Sequence, residues 1–137
     1  MNRYEFADNG VLDKIITPVK VDVTDYETKA DSKDIYNNAK ALWDTGSTVT
    51  VISNIMVEQL GLIPTDITTV RGFQGRPVKA NTYNIDLWLG NIHVEYVQAI
   101  EGCLTNIDMI LGMDVLSQGA LKITHPNFTT RLVFEEE

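Results

Sequence analysis

The stretch Ala41-Leu42-Trp43-Asp44-Thr45-Gly46-Ser47 constrains this chain most, because it drives an apolar run straight into a carboxylate and then into a glycine that lets the backbone turn sharply. A lone ionised carboxylate is costly to bury, so an acid at the end of a buried strand calls for a partner, a metal or a chemical task. Thr48-Val49-Thr50-Val51-Ile52 then resumes a β-branched run, so the polar interruption reads as a short loop between two strands. Asp44 is thereby placed at a loop tip with a packed scaffold on both sides, where a rigid frame can aim a catalytic group.

The rest of the chain has the same grammar of short strands and turn residues. Arg3 to Val23 alternates as strands do around a turn at Asp8-Asn9-Gly10, which predicts a hairpin followed by another strand. Asp25 to Lys40 is charged and polar and reads as a surface loop leading into the strand that ends at Asp44. Ser53 is a helix cap signal, followed by Ile55, Met56, Gln59 and Leu60 at helical spacing, with Gly61 and Pro64 as stops. Ile67 to Val70 and Val78 to Leu89 read as two strands joined by the tip Arg71-Gly72-Phe73-Gln74-Gly75-Arg76-Pro77. Gly90-Asn91 turns the chain into a strand from Ile92 to Ile100, and Glu101 to Asn106 reads as a loop. Met109-Ile110-Leu111-Gly112 repeats the pattern of an apolar run ending in glycine, Met113 to Leu116 predicts a second short helix, and Ala120 to Thr124 and Thr130 to Phe134 close the chain as strands. No linker or low-complexity segment divides it, so residues 1–137 read as one domain.

Composition removes several classes of function. With 19 acidic against 11 basic residues and a net charge of -8, the surface is unsuited to nucleic acid, whose phosphates need a basic partner. Cys103 is the one cysteine, which leaves no intrachain disulfide and no thiolate cluster. His93 and His125 stand far apart without ligand spacing, so neither a metal nor another cofactor is expected. No apolar run reaches membrane-spanning length and no leader opens the chain, so it reads as soluble in this form, with its compartment undetermined.

Taken together, Asp44-Thr45-Gly46, the tip Arg71 to Gly75 and Ile110-Leu111-Gly112 resemble the retroviral-type aspartic proteases, the retropepsins, in one subunit. The likeness in order and spacing runs from about Ala39 to Ile123. It implies an all-β closed barrel with one or two short helices, working as a homodimer whose cleft lies on the two-fold axis. It further implies that Asp44 from each subunit shares one proton with its twin, since two like charges in contact do not both ionise cheaply. One carboxylate then takes a proton from water while the other donates to the scissile carbonyl of an extended peptide or protein substrate. By the same resemblance Thr45 ties the two loops through its hydroxyl, Gly46 admits the substrate backbone, and Ser47 meets the outer carboxylate oxygen. Arg71, Gly72, Phe73, Gln74 and Gly75 form a flap over the cleft, and Ile110, Leu111 and Gly112 are structural beside the site. Viral subunits carry an acid and an arginine where this chain has Thr48 and Met113, and both partners are missing together.

Blander readings attach to the same residues. Asp44 alone is compatible with a turn aspartate bonding its own backbone. Trp43 reads as packing, Asp114 as an acid at a helix start, Asp108 as a loop acid, and Cys103, His93 and His125 as passive residues. Asn127-Phe128-Thr129 fits a glycosylation acceptor, a pattern frequent by chance. The rival function is a peptide-binding or dimerisation module that keeps the fold without turnover. A third reading is a piece released from a larger membrane or secreted precursor.

Overall fold

Alternation of small or branched apolar residues with polar ones sets the strands, and two departures from that alternation bend them into a barrel. The computed structural model describes residues 2–23, 35–71 and 75–137. Strands β1 (Arg3–Asn9), β2 (Ile16–Val23), β3 (Tyr36–Trp43) and β4 (Val51–Ser53) precede helix α1 (Asn54–Leu60). Strands β5 (Asp66–Arg71), β6 (Pro77–Leu89), β7 (Ile92–Gly102) and β8 (Met109–Leu111) lead to helix α2 (Met113–Leu116), and β9 (Gly119–Thr124) and β10 (Thr129–Glu136) end the chain.

The larger sheet has the order β2-β3-β8-β4-β7-β6-β5, and an additional β2–β6 pairing closes six of these strands into a barrel with β5 outside. Closure needs local bending, which two bulges supply. On β3, Val19↔Ala39 is followed by Val21↔Tyr36, so Asn37 and Asn38 together oppose Lys20, with Asn38 at φ 59°. On β7, Ile85↔Val97 and Leu87↔Val94 leave two residues against Asp86, with Tyr96 at φ 56° and its N–H donating to Asp86 Oδ1 at 3.3 Å. Inside, Val19, Val21, Ala39, Ala41, Ile85, Leu87, Ala99 and Met109 fill the barrel, burial that supplies the main favourable term in folding.

The smaller sheet has the order β1-β10-β9 and joins the two ends of the chain, from Arg3↔Glu135 to Asn9↔Thr129. Its middle strand is paired on both sides. Arg3 lies 3.5 Å from Glu135 and 2.7 Å from Glu5, so the acidic terminus meets a cation. Trp43 couples this sheet to the barrel: its ring stacks on Tyr4 at 5.9 Å and meets the edge of Phe134 at 5.7 Å, while its Nε1 donates to Thr17 Oγ1 at 2.9 Å.

Several readings of the sequence are corrected here. The alternating segment from Arg3 to Val23 is not a hairpin, because β1 pairs with β10 while β2 pairs with β3 and β6. Alternation fixes which face is buried and not which strand lies alongside. The polar segment ahead of Asp44 is strand from Tyr36 onward; its polar residues are the outward half of an alternating pattern whose inward half is Ala39, Ala41 and Trp43. Residues 24–34 of that segment lie outside the described residues. The run after Gly46 becomes strand only at Val51, and β7 extends to Gly102. Helix α1 agrees with its signals: Ser53 Oγ accepts from Met56 N at 3.1 Å and Gly61 is left-handed at φ 65°. Among the described residues no helix is long and apolar enough to cross a membrane.

One partly buried polar pair gives a pH prediction. The Tyr83 ring is 3% exposed and its hydroxyl donates to Glu101 Oε1 at 2.6 Å. Burial first, then the bond and the negative charge of Glu101, raise the phenol from 10.0 to about 12. The unfolded phenol loses its proton near 10, so this contribution to stability is complete below pH ~10 and is lost as pH rises toward about 12. Burial raises the phenols of Tyr4 and Tyr36 as well, so the readout is the latest step alone: a phenolate absorbance titration of the wild type should end in a step near pH 12, and Tyr83→Phe should remove it.

Candidate active site

Asp44 is positioned by the crossing of three short strands. β8 lies between β3 and β4, parallel to the first (Ala41↔Met109, Leu42↔Ile110, Trp43↔Leu111) and antiparallel to the second (Val51↔Ile110, Ile52↔Met109). The segment from Asp44 to Thr50 must therefore bridge β3 and β4 across the end of β8. β3 enters the loop from buried Ala41 and Trp43, and β4 leaves it through buried Ile52 and Ser53, so the loop is held at its two feet.

Within the loop, Asp44 N donates to Leu111 O at 3.0 Å and Ser47 N donates to Asp44 O at 3.2 Å, which closes a tight turn. Gly46 N donates to Asp44 Oδ1 at 2.8 Å, fixing one oxygen of the half-buried carboxylate; Oδ2 takes no hydrogen bond from the described residues. A Cβ on Gly46 would stand 3.2 Å from Asp44 Oδ1. Gly46 does not adopt a positive φ, so its value here is close approach and not the sharp turn expected of it. Thr45 is exposed at the tip. Ser47 Oγ donates to Val49 O at 2.7 Å, so its hydroxyl braces the loop and is not spent on the carboxylate.

The second glycine-terminated run packs against the first. Ser47 O accepts from Met113 N at 2.7 Å, and a Cβ on Gly112 would lie 2.4 Å from Val49 O and 3.0 Å from Ser47 O. Ile110 is half-buried, and Leu111 and Gly112 are buried beneath the loop. Together they set the height of the Asp44 turn.

Of two supporting residues, the sequence does not single out Thr50 and marks Asp114 only as an acid at a helix start. Thr50 is fully buried; its N and Oγ1 donate to the two oxygens of Asp114 at 3.0 and 2.8 Å, and its Oγ1 accepts from Gly112 N at 3.2 Å. Asp114 does stand at the start of a helix, where Val115 N also donates to it at 2.9 Å, but its larger role is to clamp the outgoing limb of the loop. Asp108 is also committed: its Oδ2 accepts from Lys40 N at 2.8 Å. Threonine in a β-branched run reads as a strand former, so nothing in the local pattern marks Thr50 as a linchpin.

The hairpin that carries the Arg71–Gly75 segment is β5–β6, in register from Asp66↔Thr82 to Arg71↔Pro77. Arg71 Nη1 donates to Gly75 O at 2.9 Å across its neck, and Gly75 takes φ 74°. Gly72, Phe73 and Gln74 at its tip lie outside the described residues. Thr48 and Met113 are both exposed, with Met113 at 40%. Cys103 is exposed, and among the described residues no group of three or more His, Cys, Asp or Glu side chains is placed to hold a metal ion. His93 stacks on Trp88 at 4.4 Å, with Nε2 3.0 Å from Asp86 Oδ2, on the outside of the barrel.

Comparison with known proteins agrees with this arrangement. Residues 36–118 match the family described as gag-polyprotein putative aspartyl protease. A crystal structure of a retropepsin-like aspartic protease from Rickettsia conorii superposes with a TM-score of 0.59 over 99% of this chain and 95% of that one, at 15% sequence identity, a likeness of fold. No curated protein matches the chain.

Proposed function

The chain belongs to the gag-polyprotein aspartyl protease family, and from that premise we propose that it is an aspartic endopeptidase whose active form is a homodimer. The observation that carries this reading is the presentation of Asp44: one oxygen fixed by Gly46 N, the other unclaimed by the described residues, at the tip of a loop locked to β8 and α2. One chain supplies one such carboxylate. Asp108 and Asp114 are both spent on backbone amides, so neither serves as a second acid in the same chain. The twin comes from a second copy.

In the dimer the paired Asp44 side chains hold one proton between them. The ionised member removes a proton from a water as its oxygen attacks the scissile carbonyl carbon, and the protonated member donates to the carbonyl oxygen. Collapse of the resulting tetrahedral diol breaks the C–N bond, with a proton passing to the departing amine. Thr45, exposed beside the dyad, meets its counterpart across the two-fold. The β5–β6 hairpin pairs with the extended substrate and excludes water. Since β1 and β10 are already paired in one chain, the two copies need not exchange end strands to dock.

A second reading, a peptide-binding or dimerisation module without turnover, is favoured by the loss of charge at both Thr48 and Met113. Dilution separates the two. Below the dimer dissociation constant, peptide hydrolysis by the wild type should scale with about the square of protein concentration, becoming linear once sedimentation shows the dimer. Hydrolysis strictly proportional to concentration where the chain sediments as a monomer refutes the shared dyad; dimers that bind peptide and leave it whole establish the second reading.

A further inference from the structure

Between the outgoing limb of the Asp44 loop and the base of the β5–β6 hairpin lies a cavity of about 200 Å³. Val49 walls it on the loop side, Asp66, Ile67 and Thr68 on the hairpin side, and Thr82, Ile100 and Gln98 form the rest. Pockets that enclose a whole small molecule measure roughly 300–1,000 Å³, so this one has the size of a single side chain.

Strand register explains its floor. Thr82 sits opposite Asp66 on β5 and Ile100 on β7, and successive residues alternate faces, so Thr82 points away from the interior that Tyr83 occupies. Thr82 is 3% exposed, and its Oγ1 is buried with no hydrogen-bond partner among the described residues. The Thr65 hydroxyl is spent on the backbone, since Thr65 N and Oγ1 both donate to Thr82 O, at 2.9 and 3.3 Å. A buried hydroxyl without a partner costs free energy, and valine would fill the same volume without that cost. Thr82 lines the cavity, and rotation about its Cα–Cβ bond would turn its hydroxyl toward the cavity wall.

We propose that this cavity is a specificity subsite that takes one short uncharged side chain bearing hydrogen-bonding atoms, Ser, Thr, Asn or Gln, from an extended peptide, with Thr82 Oγ1 as its partner. The proposal deepens the protease reading and rests on it for the peptide's path, yet the binding it describes does not require turnover. Asp66 stands at the rim with Oδ1 accepting from Ile67 N at 2.7 Å, so its charge turns away acidic side chains and its carboxylate can accept an amide or hydroxyl proton. Val49 and Ile100 supply apolar walls for the short stem. A site built to hydrogen-bond a substrate group discriminates against analogues that lack it far better than a purely apolar slot discriminates by size.

The test reads binding and cleavage separately. A randomised peptide library is selected on Asp44→Asn protein, with and without Thr82→Val or Thr82→Ser, and the same library is digested by the corresponding chains that retain Asp44. Selected peptides should carry Ser, Thr, Asn or Gln at one position; Thr82→Val should shift that position to Val or Ile by about tenfold or more, Thr82→Ser should keep the wild-type choice, and other positions should not move. The thermal midpoint of Thr82→Val should not fall, because the hydroxyl has no partner to lose. An unchanged profile in Thr82→Val, a preference for Lys, Arg or apolar residues in the wild type, or no peptide selected at all would overturn the proposal. Selection without any digestion would sink the protease reading while leaving the subsite standing.

Discussion

Asp44→Asn is expected to lower peptide hydrolysis by at least ~10⁴-fold while the thermal midpoint stays within about 2 °C of the wild type. The two halves of this expectation rest on different atoms. In the fold, Asp44 contributes Oδ1 as the acceptor for Gly46 N, and an asparagine keeps an oxygen there. The turn, the bond from Asp44 N to Leu111 O and the packing of Trp43 do not involve the ionisable group. In the reaction, the amide can neither take the proton of the attacking water nor give one to the carbonyl oxygen, and the substitution enters both subunits at once. Mixed dimers sharpen the test: one Asn against one Asp should be as inactive as two, because a shared proton needs two acids. Full activity in Asp44→Asn, measured on protein freed of contaminating peptidases, removes Asp44 from the chemistry. A collapse of the midpoint would instead make it a structural acid.

How much of this was legible in the sequence depends on whether the determinant is local. The Asp44-Thr45-Gly46 turn, the Ser53 cap, the Gly61 stop and the two strands flanking the Arg71–Gly75 tip are written in neighbouring residues, and the structure has them where the pattern puts them. Strand partnership is not local. The segment from Arg3 to Asn9 alternates as well as any hairpin strand, yet its partner lies at the other end of the chain, from Thr129 to Glu135. Bulges were also hidden, since Asn38 and Tyr96 leave the regular conformation only because barrel closure demands it. The clamp formed by Thr50 and Asp114 joins residues 64 positions apart, and each alone has an ordinary explanation.

The same clamp explains why two glycine-terminated runs belong to one site. Gly46 lies in the turn after β3, which ends at Trp43, and Gly112 directly follows β8, which ends at Leu111; the two strands stop at the same level, with Asp44 N bonded to Leu111 O. The chain leaving Gly112 is pinned to the loop by the bond from Met113 N to Ser47 O, and the loop's outgoing limb is pinned to α2 through Thr50 and Asp114. The position of the carboxylate is thus set by backbone contacts between two segments far apart in sequence. Side-chain identity at Ile110 or Leu111 matters for burial; at Gly112 the absence of a side chain matters for position.

Gly112→Ala should therefore have the largest effect on stability of any single-methyl addition near the site. Its Cβ would stand 2.4 Å from Val49 O and 2.5 Å from Val49 C, both backbone atoms, with Ser47 O at 3.0 Å. Backbone cannot rotate aside as a side-chain end can, so either the Asp44 loop lifts off β8 or α2 shifts and loses the bond from Gly112 N to Thr50 Oγ1. Overpacking of this severity costs about 3 kcal/mol, which for a domain of this length lowers the thermal midpoint by roughly 10 °C. A displacement of about 1 Å at Asp44 carries a further penalty of ~10²-fold in hydrolysis among the molecules that still fold. Gly46→Ala is the control, because its Cβ would meet a carboxylate oxygen at 3.2 Å, the end of a side chain, and its midpoint should fall by less than half as much. Calorimetry on the two variants decides the matter: equal midpoints, or Gly112→Ala within about 2 °C of the wild type, would mean that the glycine is not what sets the height of the loop.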